Sequence, residues 1–263
     1  MMHEKPVRTF RSIFVSDIHL GTKGCQAELL LDFIRHHEAQ TWYLVGDIID
    51  TWQLRRRWYW PQSHNDVVQK FLRKARKGAE VILIPGNHDE PLRQYCGTHF
   101  GGVQVQREII HTAADGRRFL VVHGDEFDGV IRYAKWLAIL GDYGYRALLS
   151  LNTSFNRWRR RFGFGYWSLS AYIKVKVKNA LHYIDDYENA LSQEARRRNV
   201  DGVICGHIHK AEIRKIGNML YLNDGDWVES ATALVEHMDG RFELIHWADQ
   251  SLTAEDNFAV KPA

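Results

Sequence analysis

The chain has 263 residues, 45% hydrophobic and 25% charged, which is the composition of a folded globular protein with room for a sizeable core and argues against a globally disordered chain. Its net charge of +3 is too small to mark a nucleic-acid partner. Three cysteines, Cys25, Cys96 and Cys205, are odd in number and lack CxxC spacing, so they read as reduced thiols of a cytoplasmic protein. The polar start, Met1 to Ser12, has no apolar core of a secretion signal. No segment offers the roughly 18 uninterrupted apolar residues of a transmembrane helix.

In chain order, Ser12 to Ser16 is a compact apolar run and predicts the first strand, closed by Asp17-Ile18-His19. Glu28 to His37 has helical spacing, with Leu29, Leu30, Phe33 and Ile34 on one face. Trp42 to Val45 predicts the second strand, broken by Gly46 with Asp47 just beyond. Asn65 to Lys77 predicts an amphipathic helix, with Asn65 as its cap and Gly78 as its stop. Val81 to Ile84 predicts a third strand, followed at once by Pro85-Gly86-Asn87-His88-Asp89. This alternation argues for βαβ units in a layered sheet.

The pattern then changes. Val103 to Gln106, Ile109 to Thr112 and Phe119 to Val122 predict short strands, the last two joined by an Asp115-Gly116 turn. His123-Gly124-Asp125 ends that pair, and from about 127 to 198 the sequence is mostly helical, as expected of an inserted cap. Val203 to Cys205 is another buried strand, ended by Gly206-His207-Ile208-His209. Glu212 to Ile216, Met219 to Leu222, Thr232 to His237 and Phe242 to Trp247 predict antiparallel strands, and the polar tail from about 249 to 263 predicts a loose end. The expectation is one domain over 1–263 with a cap inserted in it.

Five apolar strands therefore end in side chains able to bind a metal: Asp17 and His19; Asp47; Asn87 and His88; His123; His207 and His209. Each alone is explained by a turn or a satisfied core histidine. Five at one edge are not, because packing favours apolar residues there and buried polar groups are costly unless paired. Carboxylate, imidazole and amide oxygen together suit manganese, iron, zinc or cobalt, and the lack of thiolates argues against a structural zinc site. Even seven of these eight side chains exceed what one ion with an open position needs. They suit two ions sharing a carboxylate, roughly 3.5–4 Å apart, which can activate water and clamp a phosphoryl group.

Asp17-x-His19, Gly46-Asp47-x-x-Asp50, Gly86-Asn87-His88-Asp89, His123-Gly124-Asp125 and Gly206-His207-x-His209 resemble, in order, the five blocks of the calcineurin-like metallophosphoesterases. The resemblance implies an α/β (α+β) four-layer αββα sandwich with the metals at one edge. It implies that Asp17, His19 and His209 hold one ion, that Asn87, His123 and His207 hold the other, and that Asp47 bridges them. Manganese is the first candidate for both ions, with iron, zinc or cobalt as alternatives. His88 is implied to face the substrate phosphate rather than a metal, stabilising the transition state or protonating the leaving oxygen. Asp50 has two readings, an orienting partner for a ligand histidine or a helix-start residue.

Gly46-Asp47-Ile48-Ile49-Asp50-Thr51-Trp52 and Asn223-Asp224-Gly225-Asp226-Trp227 further resemble the UDP-2,3-diacylglucosamine diphosphatase branch, a lipid A pathway group whose helical insertion lies over acyl chains. One position departs from that branch: His88 stands where Arg is usual. The implied substrate is a nucleotide-linked lipid cut at its pyrophosphate; the alternative is a paralogous phosphodiesterase or phosphatase. A non-catalytic scaffold would have no need of seven ligands and His88. Basic and aromatic clusters at Arg157 to Phe162 in the cap and Arg55 to Trp60 admit four readings: a peripheral contact with the inner membrane, binding of a diphosphate with its base or acyl group, a solvated helical bundle, or a nucleic-acid backbone. Oligomeric state is not readable from the sequence.

Overall fold

Strands buried on both faces read as continuous apolar runs, and the two faces of each run fill two different cores. In the computed structural model the described residues are 6–127 and 191–248. The chain divides into two compact units, Met1–Asp125 with Ala195–Ala263, and Glu126–Glu194. The fold described below is that of the first unit. The expected cap falls mostly on 128–190, and the expected loose tail on 249–263; both lie outside the described residues.

A seven-stranded sheet comprises β1 (Arg8–Val15), β2 (His37–Val45), β3 (Glu80–Ile84), β4 (His99–Phe100), β5 (Val103–Val105), β11 (Thr232–Glu236) and β12 (Phe242–His246), in the order β12-β11-β1-β2-β3-β5-β4. Strands β1, β2, β3 and β5 run parallel, while β11, β12 and β4 are antiparallel to their neighbours. A five-stranded sheet comprises β6 (Ile109–Thr112), β7 (Arg118–Val121), β8 (Gly202–Cys205), β9 (Glu212–Ile216) and β10 (Met219–Asn223), in the order β6-β7-β8-β10-β9. Here β7, β8 and β10 are parallel. Among the described residues no helix is long and apolar enough to cross a membrane.

Alternation along each strand sorts the cores. Phe14, Tyr43, Val45, Ile82 and Ile84 meet Phe119, Val121, Ile204 and Leu222 between the sheets. Phe14 and Tyr43 stack there with centroids 4.5 Å apart. The intervening residues Ile13, Val15, Trp42, Leu44 and Val81 pack instead with Leu30, Phe33 and Ile34 of α1 (Ala27–His36) and Val67 and Phe71 of α3 (Gln62–Arg76). Each such large side chain removed from water contributes about 1.5–3 kcal/mol, which is why the sheets hold their register and their ends stay in line.

Element boundaries differ from expectation at identifiable places. Strand β2 begins directly after α1, because His37 is buried, bonds the Phe33 carbonyl through Nδ1 at 2.7 Å and packs against the Phe33 ring. Helix α3 starts at Gln62, not at an Asn65 cap; Pro61 precedes it with φ −68° and no side chain caps it. The six-residue α2 (Thr51–Arg56), a 3-10 turn over Glu90–Tyr95 and the two-residue β4 are too short to show a periodicity in sequence.

Candidate metal centre

The loops at the carboxyl ends of β1 and β2 continue to pair after the strands end. Asp17 N–H bonds Gly46 O at 3.0 Å, His19 N–H bonds Asp47 O at 2.9 Å and Leu20 N–H bonds Ile48 O at 2.9 Å. In the second sheet the loops after β7 and β8 pair likewise, Gly206 N–H bonding His123 O at 3.1 Å, and His207 N–H ties them to the same edge by bonding Asp17 Oδ2 at 2.7 Å. Seven non-glycine residues among those described have positive φ, and five of them are Asp17 (50°), His19 (51°), Asp47 (54°), His207 (69°) and His209 (52°). This left-handed conformation costs about 1–3 kcal/mol per residue and persists where surrounding structure enforces it. Here it turns five side chains inward at successive strand ends.

The structure brings the sequence-derived residues together. Asp17, His19 and His209 form one group whose potential ligand atoms lie within 4.8 Å of one another; Asp47, His123 and His207 form a second; His19, Asp47 and His88 form a third between them. The carboxylates divide their oxygens. Asp17 Oδ2 accepts from the Ser16 hydroxyl at 2.7 Å and from His207 N–H, leaving Oδ1 3.0 Å from His209 Nε2 and 3.7 Å from His19 Nε2. Asp47 Oδ1 accepts from His88 N–H at 2.7 Å, leaving Oδ2 3.8 Å from His19 Nε2 and 3.4 Å from His123 Nε2. The imidazoles divide their nitrogens in the same way. His19 Nδ1 meets Asp50 Oδ2 at 3.2 Å, and His123 Nδ1 meets Val45 O at 2.8 Å. Each arrangement suits the tautomer that leaves Nε2 as a lone-pair donor to a metal.

Asp17 Oδ1, His19 Nε2, His123 Nε2 and Asn87 Oδ1 are buried without a hydrogen bond. Four such atoms around one edge are costly for protein alone and fit a cation, so the donor set suits divalent metal ions. Asn87 follows Gly86, where a Cβ would collide with Asp47 Oδ1 and His123 Nε2; only glycine lets that loop approach.

The charges act in the same sense. Burial pushes the Asp17 carboxyl up, but contact with His19 and His209 outweighs it and holds the group well below the usual carboxylate range. Burial opposes the charged form of His19, yet Asp17, Asp50 and Asp47 raise it to about 9. His123 is raised to about 10 against its burial, mainly by the Asp47 charge. A negative potential therefore stands at the edge, and protons occupy the imidazoles when no metal ion competes for them.

Asp50 fills both roles its sequence position allows. Oδ1 caps α2 by accepting Gln53 N–H at 2.7 Å, while Oδ2 lies 3.2 Å from His19 Nδ1 and 3.0 Å from His88 Nδ1, the latter without hydrogen-bond alignment. Two supporting carboxylates have no sequence signal beyond their place in the motifs. Asp89, raised to about 6 by burial and the nearby Asp47, braces the Ile48 and Gly86 amides at 2.8 and 2.6 Å. Asp224, pushed well up by burial, accepts from the Ser16 hydroxyl at 2.6 Å, and Ser16 in turn holds Asp17.

Residues 10–211 match the family model of the calcineurin-like phosphoesterases, and the chain belongs to that family. It is a metal-dependent phosphoesterase with an α/β fold of two mixed sheets and flanking helices, the family and fold that the five strand-end blocks imply. It is similar to the UDP-2,3-diacylglucosamine hydrolase of Porphyromonas gingivalis, 29% identical over 245 residues spanning 82% of this chain and 89% of that protein. The Neisseria gonorrhoeae protein of the same name is 25% identical over 225 residues, again 82% and 89% of the two chains. Among solved structures, Yfce, a phosphoesterase from E. coli, covers 89% of this chain and 98% of its own, at 15% identity and a TM-score of 0.43.

Proposed function

We propose that the protein is a binuclear phosphohydrolase that cleaves the pyrophosphate of UDP-2,3-diacylglucosamine or a related nucleotide-linked lipid. In this reading Asp17, His19 and His209 hold one ion, Asn87, His123 and His207 hold the other, and Asp47 is shared. The observation that carries it is the position of Asp47 Oδ2, between His19 Nε2 at 3.8 Å and His123 Nε2 at 3.4 Å. Two divalent ions held there supply Lewis-acid charge to the phosphoryl oxygens and activate water at neutral pH. Asp50 and the Val45 carbonyl keep both imidazoles turned with Nε2 inward. His88, a quarter exposed at its side chain, meets the phosphate, where it stabilises developing charge or donates a proton to the leaving oxygen. Manganese is the preferred metal, and the reaction belongs on the cytoplasmic side of a membrane that holds the lipid substrate.

Support for the substrate comes from the names of relatives matching over most of both chains. A second reading, a phosphodiesterase or phosphatase for another nucleotide or lipid-linked substrate, is favoured by His88 at a position where that branch usually has Arg. The test is hydrolysis of UDP-2,3-diacylglucosamine by manganese-loaded protein, scored as UMP and lipid phosphate. Both products appearing supports the first reading. Their absence, with hydrolysis of bis(p-nitrophenyl) phosphate intact, leaves the second. No hydrolysis of either compound by protein with two bound ions would sink both.

A further inference from the structure

His88 is gripped by three consecutive residues, each in a different way. Asp50 Oδ2 stands 3.0 Å from its Nδ1. The Thr51 N–H and hydroxyl both donate to its carbonyl oxygen, at 3.0 and 2.5 Å. The Trp52 indole lies against the imidazole, with centroids 4.3 Å apart and planes inclined by 34°. The edge of His19 closes another side, with centroids 4.7 Å apart and planes at 82°.

Core packing does not account for this indole. Helix α2 buries none of its six residues, and Trp52 is 46% exposed. Its ring contact is with the one histidine at this edge that is not needed as a ligand. The imidazole of His88 turns about two side-chain bonds. Its carbonyl is fixed by Thr51 and its Nδ1 faces Asp50, so the plane of the ring is the freedom left for Trp52 to restrict. With Nδ1 toward Asp50, Nε2 is the nitrogen left for the substrate.

We infer that Trp52 is a positioning residue for phosphoester hydrolysis: its indole face fixes the plane of the His88 imidazole and so aims Nε2 at the substrate's phosphoryl group. This rests on the role proposed for His88. An aromatic contact of this kind biases one orientation by about three- to tenfold, and a loss of that size in kcat is expected when it is removed.

The experiment is a double-mutant cycle on metal-loaded protein, with kcat and KM measured on bis(p-nitrophenyl) phosphate and bound metal counted in every variant. Trp52→Ala should lower kcat about three- to tenfold, leave KM within about twofold and keep its metal. Trp52→Phe should recover most of the rate, because a ring face is retained. In a His88→Ala background, Trp52→Ala should change kcat by less than about twofold. An equal loss in both backgrounds would overturn the positioning role while leaving His88 in place. A change confined to KM would overturn it too, by making Trp52 a substrate contact. If His88→Ala itself left kcat unchanged, the role of His88 would fall first, and this inference with it.

Discussion

Two buried clusters of carboxylate and histidine meet β1 and the loop after it only a few residues apart, at Ser12 and Ser16, and they are built to opposite rules. Around Glu236, every polar atom is answered. Arg11 Nη1 reaches both carboxylate oxygens at 2.8 and 3.0 Å, the Ser12 hydroxyl donates at 2.8 Å, Ala114 N–H at 2.8 Å, and His111 Nε2 sits at 2.9 Å with its Nδ1 3.0 Å from the Tyr43 hydroxyl. Around Asp17 and Asp47, half of each carboxylate and half of the His19 and His123 imidazoles is bonded to protein, and the other half is left toward the neighbouring ligand atoms. The first cluster ties β1, β2, β6 and β11 together. The second keeps donor atoms unspent on the protein, as a metal centre requires. A histidine beside a carboxylate is thus uninformative by itself; whether the second nitrogen and the second oxygen are satisfied separates structure from function.

Breaking Asp47 should have the largest effect. Asp47→Ala removes the oxygen lying between the two groups, and kcat on a phosphodiester should fall on the order of 10³-fold or more, with bound metal lost in parallel by elemental analysis. Retained metal with full activity would contradict the shared role.

Breaking Glu236 should do the reverse. Glu236→Ala removes the acceptor of His111 Nε2 and the anionic partner of Arg11, which keeps the Thr112 carbonyl, so urea denaturation should show a loss of about 2–3 kcal/mol, below the value for a fully buried pair because Arg11 reaches solvent. Metal content and kcat of the folded fraction should be unchanged. A loss of metal would show that the two clusters are coupled.

Asp50→Asn sharpens the contrast at a single residue. Asparagine keeps an oxygen for the Gln53 amide and so preserves the cap, but removes the charge facing His19 and His88. Metal affinity should drop about 10–100-fold with stability little altered. Titration calorimetry together with thermal melts would check both halves.

The remaining contrast is in pH. His19 and His123 have folded-state values of about 9 and about 10 against an ordinary 6.5. Their charged forms therefore stabilise metal-free protein fully below about pH 6.5, and that contribution is lost as pH rises through 9 to 10. Metal ions displace those protons, so metal-loaded protein should hold its melting temperature across this window while chelated protein declines. Manganese affinity should rise with pH over the same range. Parallel melting curves for both states would reveal the difference or rule it out.

The strands that carry the centre were legible because burial on both faces demands unbroken apolar runs, and each run stops at a residue that packing would not choose. The seven proposed ligands and His88 could be picked out on that ground alone. Other features were not legible for equally physical reasons. Asp89 and Asp224 act on atoms 41 and 208 residues away in the chain, at Ile48 and Ser16. Nothing local distinguishes such a carboxylate from a turn residue. Helix α2 is too short for a periodicity, yet it delivers Asp50, Thr51 and Trp52 to His88.

The sequence by itself determined the family, through the resemblance of its five strand-end blocks, and also the alternation of strands and helices and the side chains at the strand ends, because these last two follow from local hydrophobic pattern and residue chemistry. Only the tertiary structure decided which oxygen of Asp17 and Asp47 and which nitrogen of His19 and His123 is spent on the protein and which is left for a metal, because that depends on hydrogen bonds between loops drawn together from two sheets.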